Sequence, residues 1–389
     1  MDSAKVSIVF TGDIGFDRYM EGKWEDDALL SDEVLDFFSG ADQTVANVEA
    51  AVMDAVNDGS RGAYFHTMNP KAIKVLNKIG ADIWSIGNNH ITDAGRDGVV
   101  STKAFAEQNG VRTIGAGLDE LDASEPVYID EAGGIGLICT SYTAGNTRER
   151  AATKSSEGVF RWDDYDLIAK RIGEIKSKCR WCVVVCHGGE EFTCLPSPYT
   201  RKRYTKYLEL GADVVVSHHP HVPENYELFD NGKAIYYSLG NFIFDTDYQR
   251  VHAYTDVGVL LKLVFTEEKL SFDAIGIKID REDGRIKTIE LPDIFENICA
   301  DEYERLLPLE AKAFFEEEKR RMAYLVKDEF ANASEEKWNK YFFADKPYEY
   351  FKDEHMDFDA LVPYLEKYES GEWKSSHLTK VKEYILKLI

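Results

Sequence analysis

The sequence predicts an α/β fold, and three observations carry that prediction. Short apolar, β-branched runs recur between about residues 5 and 250. Helix-like stretches with their own start and stop signals lie between several of them. Five of the runs end in a residue type that binds metal. Apolar runs of this length read as strands buried on both faces. Strands alternating with helices make an α/β domain, and in such folds the loops at the carboxyl ends of the strands hold the ligand.

The elements follow in order. "KVSIVFTGD" leads to Asp13 and "QTVANVE" to Glu49. "NPKAIKVLNKIG" opens on Asn-Pro and stops at Gly, which marks a helix. "ADIWSIGNNH" is a strand delivering Asn89 and His90, and "DGVVSTKAFAEQNG" is the next helix. "WCVVVCHGGE" reaches His187, "SPYTRKRYTKYLELG" is helical, and "DVVVSHHPH" ends at His219 and His221. Beyond "KAIYYSLGNFIFD" the pattern becomes antiparallel, in "VGVLLKLVFTEEKLSFDAIGIKID" and "GRIKTIELP", and these strands are expected to finish a second sheet. Residues 1–292 are expected to form one domain. Residues 293–389 are charged, aromatic and helix-rich, and are expected to form a C-terminal helical appendage without evident chemistry.

Composition narrows the function. The chain has 389 residues, 44% of them hydrophobic, which is ample for one large core. A net charge of −24 repels nucleic-acid phosphates and anionic lipid, so neither is an expected partner. An acidic substrate needs a local cation, either metal or arginine. No run is long and apolar enough for a membrane helix, and the opening "MDSAKVSIVF" has no signal-peptide pattern, so a cytoplasmic protein is expected. Six cysteines fit reduced, buried thiols. Cys179 and Cys182 form a C-x-x-C, but no second such pair completes a zinc site, so they read as core residues. "RKR" (Arg201, Lys202, Arg203) reads as a solvated helix face.

Three of nine histidines sit in "HHPH". Pro220 pushes His219 toward an extended backbone. In an extended chain, residues i and i+2 face one way. His219 and His221 are therefore the expected ligands, with His218 behind them. Asp, Glu, Asn and neutral His suit one or two divalent ions such as Mn, Fe or Zn. Asp and Asn also shape turns, which is the competing reading for Asp13 and Asn89. His90, next to Asn89, is placed to act as a general acid. His66 in "GAYFHTMNP" is expected near the substrate.

Taken together, "FTGDIGFDR", "ANVEAAV", "GNNHITDAG", "CHGGEEF", "VVVSHHPHVPE" and "YYSLGNFIFD" resemble the successive motifs of the CapA family of poly-γ-glutamate capsule synthesis proteins. The resemblance covers roughly residues 5 to 250. It implies a calcineurin-like metallophosphoesterase fold, a four-layer β-sandwich flanked by helices. It also implies residue roles. Asp13 and His221 would hold a first metal, Glu49 would bridge, and Asn89, His187 and His219 would hold a second. Arg18, Glu191 and Asn241 match positions that contact substrate or anion. The implied activity is a metal-dependent hydrolase or transferase acting on a phosphoester or a γ-glutamyl amide. The alternative is a non-catalytic component that binds metal and an anionic polymer. Three departures bear on the choice. Glu49 stands at the bridging position where two-metal phosphoesterases normally carry Asp. Gly15 stands where two-metal phosphoesterases carry a histidine, which removes a ligand from the first metal. "HGG" replaces "HWG", which is expected to remove an aromatic wall near His187.

Overall fold

A computed structural model of the chain describes residues 5–54, 65–142 and 150–307. Two sheets face each other. The larger runs in the order Ile286–Ile289, Leu270–Ile279, Val257–Phe265, Val6–Ile14, Gln43–Val48, Ala81–Ser85, Arg112–Ile114, and Asn241–Ile243 also pairs with Val6–Ile14. The smaller runs Tyr226–Leu228, Ala234–Tyr236, Val214–His218, Trp181–His187, Ile135–Ser141, Val127–Ile129. The strands carrying Asp13, Glu49 and Asn89 are parallel neighbours in the larger sheet. Those carrying His187 and His219 are parallel neighbours in the smaller.

Burial on both faces explains the continuous apolar runs. Along Trp181–His187, Trp181, Val183 and Val185 point into the core between the sheets, which also holds Ile8, Phe10, Val45, Ile83 and Val214. The intervening Cys182, Val184 and Cys186 pack against Ile168, Ile172 and Ile175 of helix Tyr165–Lys176 and Tyr204 and Tyr207 of helix Pro198–Leu210. The outer face of the larger sheet is covered by helices Asp32–Ser39, Ile73–Lys78 and Arg96–Gln108. Helix, sheet, sheet, helix: this is the expected four-layer sandwich. Each fully buried Val or Ile contributes about 1.5–3 kcal/mol, so apolar residues dominate these strands, and polar ones buried in them, such as Thr11, Asn47 and Ser217, make hydrogen bonds.

Helix boundaries follow the local signals. Asn69 accepts a bond from the Lys71 amide ahead of Pro70. Ser197 caps helix Pro198–Leu210 through the Thr200 amide, and Gly211 ends it at φ 118. Two expectations change. Val257–Phe265, Leu270–Ile279 and Ile286–Ile289 extend the first sheet instead of finishing the second, because Val257–Phe265 pairs antiparallel along the Asp13 strand. "RKR" is not a solvated face. Arg201 clasps Glu227 through Nε and Nη2 at 2.7 and 2.8 Å, and Arg203 is buried with its guanidinium 3.9 Å over the Trp162 ring. All six cysteines are free, with Cys182 buried in the outer core of the smaller sheet. Among residues 293–307, Phe295 enters the core between the sheets and the Tyr303 hydroxyl donates to the Pro196 carbonyl at 2.9 Å. The rest of the expected C-terminal appendage lies outside the described residues. No helix among the described residues is long and apolar enough to cross a membrane.

Gly12 sets the spacing between Asp13 and the neighbouring chain. A Cβ there would lie 2.2 Å from the Gly240 carbonyl oxygen, which accepts the Asp13 amide at 2.9 Å. Gly12→Ala is expected to lower the urea-unfolding free energy by about 3 kcal/mol through overpacking. Gly173→Ala is the control. It lies in helix Tyr165–Lys176 with open space around it and should be neutral or stabilising.

Candidate functional site

Five strand ends bring six candidate ligands together. Asp13 lies in Val6–Ile14, Glu49 follows Gln43–Val48, and Asn89 follows Ala81–Ser85. His187 ends Trp181–His187, and His219 and His221 follow Val214–His218. All six are buried. Asp13, Glu49 and His187 can present ligand atoms within 4.8 Å of one another, and so can Glu49, His219 and His221. Glu49 belongs to both groups. His187 Nε2 lies 3.3 Å from Glu49 Oε1, and His221 Nε2 lies 3.8 Å from the same oxygen. His221 Nδ1 stands 3.2 Å from Asp13 Oδ2, and His187 Nε2 stands 2.8 Å from Asn89 Oδ1.

The electrostatics suit a cation site. Neither Glu49 oxygen meets a hydrogen-bond donor, although both are buried, and His219 Nδ1 is buried without a partner. Such groups are costly unless something compensates them. Burial, followed by the charges of Asp13 and Glu191, raises the Glu49 carboxyl well above its usual range. Burial also pushes the His187 imidazole well down, and burial takes His219 to about 4, so both stay neutral at pH 7 as ligands must. For His221 burial acts downward, but the Asp13 carboxylate outweighs it and holds the ring above its ordinary value. Carboxylate oxygens and neutral imidazoles suit divalent Mn, Fe or Zn, and this donor set does not select among them.

The histidine pair is held differently from expectation. His219 and His221 have φ of 100° and 60°, so the loop is left-handed and not extended. Such backbone costs about 1–3 kcal/mol per residue and persists only where surroundings impose it. The outcome still puts both rings at the site. His218 turns away, its Nε2 bonding the Thr11 carbonyl at 2.8 Å.

His90 is poised beside the cluster. Its Nδ1 lies 2.8 Å from Asp93 Oδ2, and its Nε2 is 3.0 Å from Asn89 Nδ2 and 3.9 Å from Glu49 Oε1. Burial lowers its pKa against the pull of Asp93. A neutral ring donating from Nδ1 therefore presents Nε2 as an acceptor. His66 stands at 4.3 Å, edge to face with His90, and its Nδ1 lies 2.5 Å from Asp17 Oδ2. Glu191 Oε1 is 4.0 Å from His219 Nε2, and its Oε2 accepts from the Tyr248 hydroxyl at 2.8 Å. Asn241 is fully buried, with Oδ1 3.1 Å from His221 Nδ1 and Nδ2 donating to Gln249 Oε1 and the Thr255 carbonyl. Its amide is spent on the protein, and its work is to orient His221. Arg18 is half-buried at the start of the turn Arg18–Met20, with φ 50°.

Sequence reasoning missed five residues. Asn47 donates to Asp13 Oδ1 at 2.7 Å and sits 3.4 Å from His187 Nδ1. The alternation that puts positions 47 and 49 on one face could have found it. Asp93 accepts from the His66 amide at 2.9 Å as well as from His90, three residues before it. Arg150 reaches in from far along the chain, bonding the Asn89 carbonyl and standing 3.3 Å from Asp93 Oδ1. Trp162 supplies, with Tyr142, the aromatic wall expected to be absent. A Cβ at Gly188 would lie 2.4 Å from the Trp162 ring, and Tyr142 packs 5.3 Å from His219. Position 15 is likewise taken. A Cβ there would meet the Phe244 ring at 2.7 Å, and that ring packs on His66 and His221.

A two-sheet sandwich with histidines and carboxylates gathered at its strand ends defines an α/β protein with a candidate metal centre. The family model described as bacterial capsule synthesis protein PGA_cap matches residues 7–246, which include every candidate ligand, and the chain belongs to that family. It is 32% identical over 249 residues to the PGA biosynthesis protein CapA of Bacillus subtilis (strain 168), covering 63% of this chain and 65% of that one. It is 28% identical over 260 residues to the capsule biosynthesis protein CapA of Bacillus anthracis, covering 64% and 62%. A probable polyglutamine synthesis accessory protein of Mycobacterium tuberculosis (strain ATCC 25618 / H37Rv) is 23% identical over 236 residues, covering 58% and 61%. The chain thus spans somewhat under two thirds of the length of these curated relatives.

The neutral His219 gives a pH signature. A histidine whose folded pKa lies near 4 adds stability in full above its unfolded value of about 6.5, and that contribution shrinks as pH falls from 6.5 toward 4. In metal-free buffer, the pH–stability curve of His219→Asn should therefore lack part of the acid-side loss seen in the unsubstituted protein between those values. Parallel urea-midpoint curves for the two proteins would contradict it.

Proposed function

We propose that this chain is a metal-dependent hydrolase or transferase of poly-γ-glutamate capsule metabolism, acting on a phosphoester or a γ-glutamyl amide. The observation that supports it most is the buried Glu49 carboxylate, both oxygens lacking hydrogen-bond donors, ringed by the imidazoles of His187, His219 and His221 beside the His90–Asp93 pair. Asp13, Glu49, Asn89, His187, His219 and His221 are the residues that would hold one or two divalent cations. When bound, such a cation supplies Lewis-acid chemistry, polarising a phosphoryl or carbonyl oxygen and making water acidic enough to attack it.

The protein's own groups handle the proton. His90 Nε2 starts as an acceptor, so it takes up the proton released by the attacking water. Asp93 then stabilises the imidazolium through Nδ1. His90 hands that proton to the departing oxygen or nitrogen, completing the general acid role. Asn47 holds Asp13, Asn241 holds His221, and the Tyr142–Trp162 wall keeps water from the His187–His219 side. His66, Glu191 and Arg18 are proposed to contact the substrate.

A second reading has its own support. The Phe244 ring fills the space beside Gly15 from which two-metal phosphoesterases donate a histidine. A centre poorer in ligands on the Asp13 side favours a component that binds metal and an anionic polymer without turnover. Elemental analysis after purification in Mn²⁺ separates the readings, followed by assays on an aryl phosphodiester and on γ-glutamyl peptides. The enzyme reading expects bound Mn that is lost in His219→Ala/His221→Ala. It also expects turnover that falls by about 10²–10⁴-fold in His90→Asn with Mn retained. Bound Mn without turnover on either substrate would favour the binding reading, and no bound metal would contradict both.

A further inference from the structure

Arg150 stands apart from the other arginines packed in this structure. Arg203 lies flat on Trp162, Arg201 spends Nε and Nη2 on Glu227, and the buried Arg171 is divided among Ser124, Glu174 and the Leu121 carbonyl. Arg150 reaches across the chain to the loop that carries Asn89 and His90. Its Nη1 bonds the Asn89 carbonyl and its Nη2 stands 3.3 Å from Asp93 Oδ1. These two contacts use only part of a guanidinium's donors. The Asp93 side chain is 3% exposed, whereas that of Arg150 is 27% exposed. One end of the pair is therefore sealed in the protein and the other remains open to solvent.

The surroundings give that open end a purpose. The cluster is lined by Asp13, Asp17, Glu49, Asp93 and Glu191, a set that repels an anion. Arg150 is the cation whose charge acts on both His90 and Asp93. Asp93 is already shared between His90 Nδ1 and the His66 amide, so it orients the guanidinium without saturating it. A fixed, partly exposed guanidinium offers parallel N–H donors that match carboxylate or phosphate oxygens.

We propose that Arg150 is a specificity-determining residue that receives an oxyanion of the substrate, carboxylate or phosphate, next to His90. This rests on reading the cluster as the substrate-handling centre. The test is isothermal titration of the full chain with inorganic phosphate and, separately, with γ-linked triglutamate. Both titrations are run with and without Mn²⁺, on the unsubstituted protein and on Arg150→Ala, Arg150→Gln and Arg150→Lys. At least one probe should bind, and which one binds identifies the oxyanion. Arg150→Ala and Arg150→Gln should weaken binding roughly tenfold or more, and Arg150→Lys less, because the charge survives without the fork. Mn²⁺ affinity should be the same in all four proteins. Unchanged Mn²⁺ affinity, together with the Arg150→Lys variant that keeps the length and charge, guards against a loss caused by loop unfolding in Arg150→Ala. Binding of neither probe, or equal binding by all variants with only a fall in thermal midpoint, would overturn the proposal and leave a structural clamp. Failure of the metal reading would appear separately, as absence of Mn²⁺ uptake by the unsubstituted protein.

Discussion

The Glu49 carboxylate is the constraint around which the site is built. It is fully buried at the meeting point of both sheets, and its Oε1 stands 3.3 and 3.8 Å from the imidazole nitrogens of His187 and His221, while neither oxygen has a hydrogen-bond partner. An uncompensated carboxylate in that position is expensive. The protein keeps it by fixing the groups around it from behind. Asn47 holds Asp13, Asn241 holds His221, Asp93 holds His90, and Asn89 faces His187. The left-handed backbone at His219 and His221 is part of the same arrangement, since that strain survives only where the loop is held on all sides.

Most of the fold and the candidate ligand set were legible because their signals are local. A strand buried on both faces is mostly apolar, so the ligand-type residue that closes each run stands out. Here those residues were Glu49, Asn89, His187, and the pair His219 and His221. The spacing in "HHPH" pointed to the two rings that do face the cluster, though by the wrong geometry, because an extended backbone and this left-handed loop both separate His218 from its neighbours. What was illegible depended on contacts between distant segments. Arg150 bonds a loop 61 residues away. Arg201 and Arg203 lie on one helix, where charge alone reads as solvent exposure, yet one clasps Glu227 and the other lies on Trp162. The placement of Val257–Phe265 beside the Asp13 strand was equally a matter of long-range pairing.

Two glycines show how a departure in sequence is absorbed in three dimensions. Gly15 and Gly188 each lack a side chain where related motifs carry a large one, and in each case an aromatic ring from elsewhere takes the space. The two exchanges differ in consequence. Trp162 restores an apolar wall beside the His187–His219 half of the cluster. Phe244 substitutes an apolar ring beside Asp13 and His221, where a ligand would have served. The division of ligands that the resemblance implies is therefore unequal, with the richer donor set on the Asn89, His187 and His219 side, although in the structure His221 also converges with His219 on Glu49 and His187 with Asp13.

The claim at the centre of this account is that Glu49 lies at the heart of a cation site. Anomalous diffraction at the manganese edge, from crystals of the chain grown in Mn²⁺, tests it most directly. The account predicts an anomalous peak at the Glu49 carboxylate flanked by His187 and His219, with any second and weaker peak on the Asp13–His221 side. Ordered Mn²⁺ elsewhere on the molecule, with the Glu49 oxygens bonded only to protein groups or water, would contradict it.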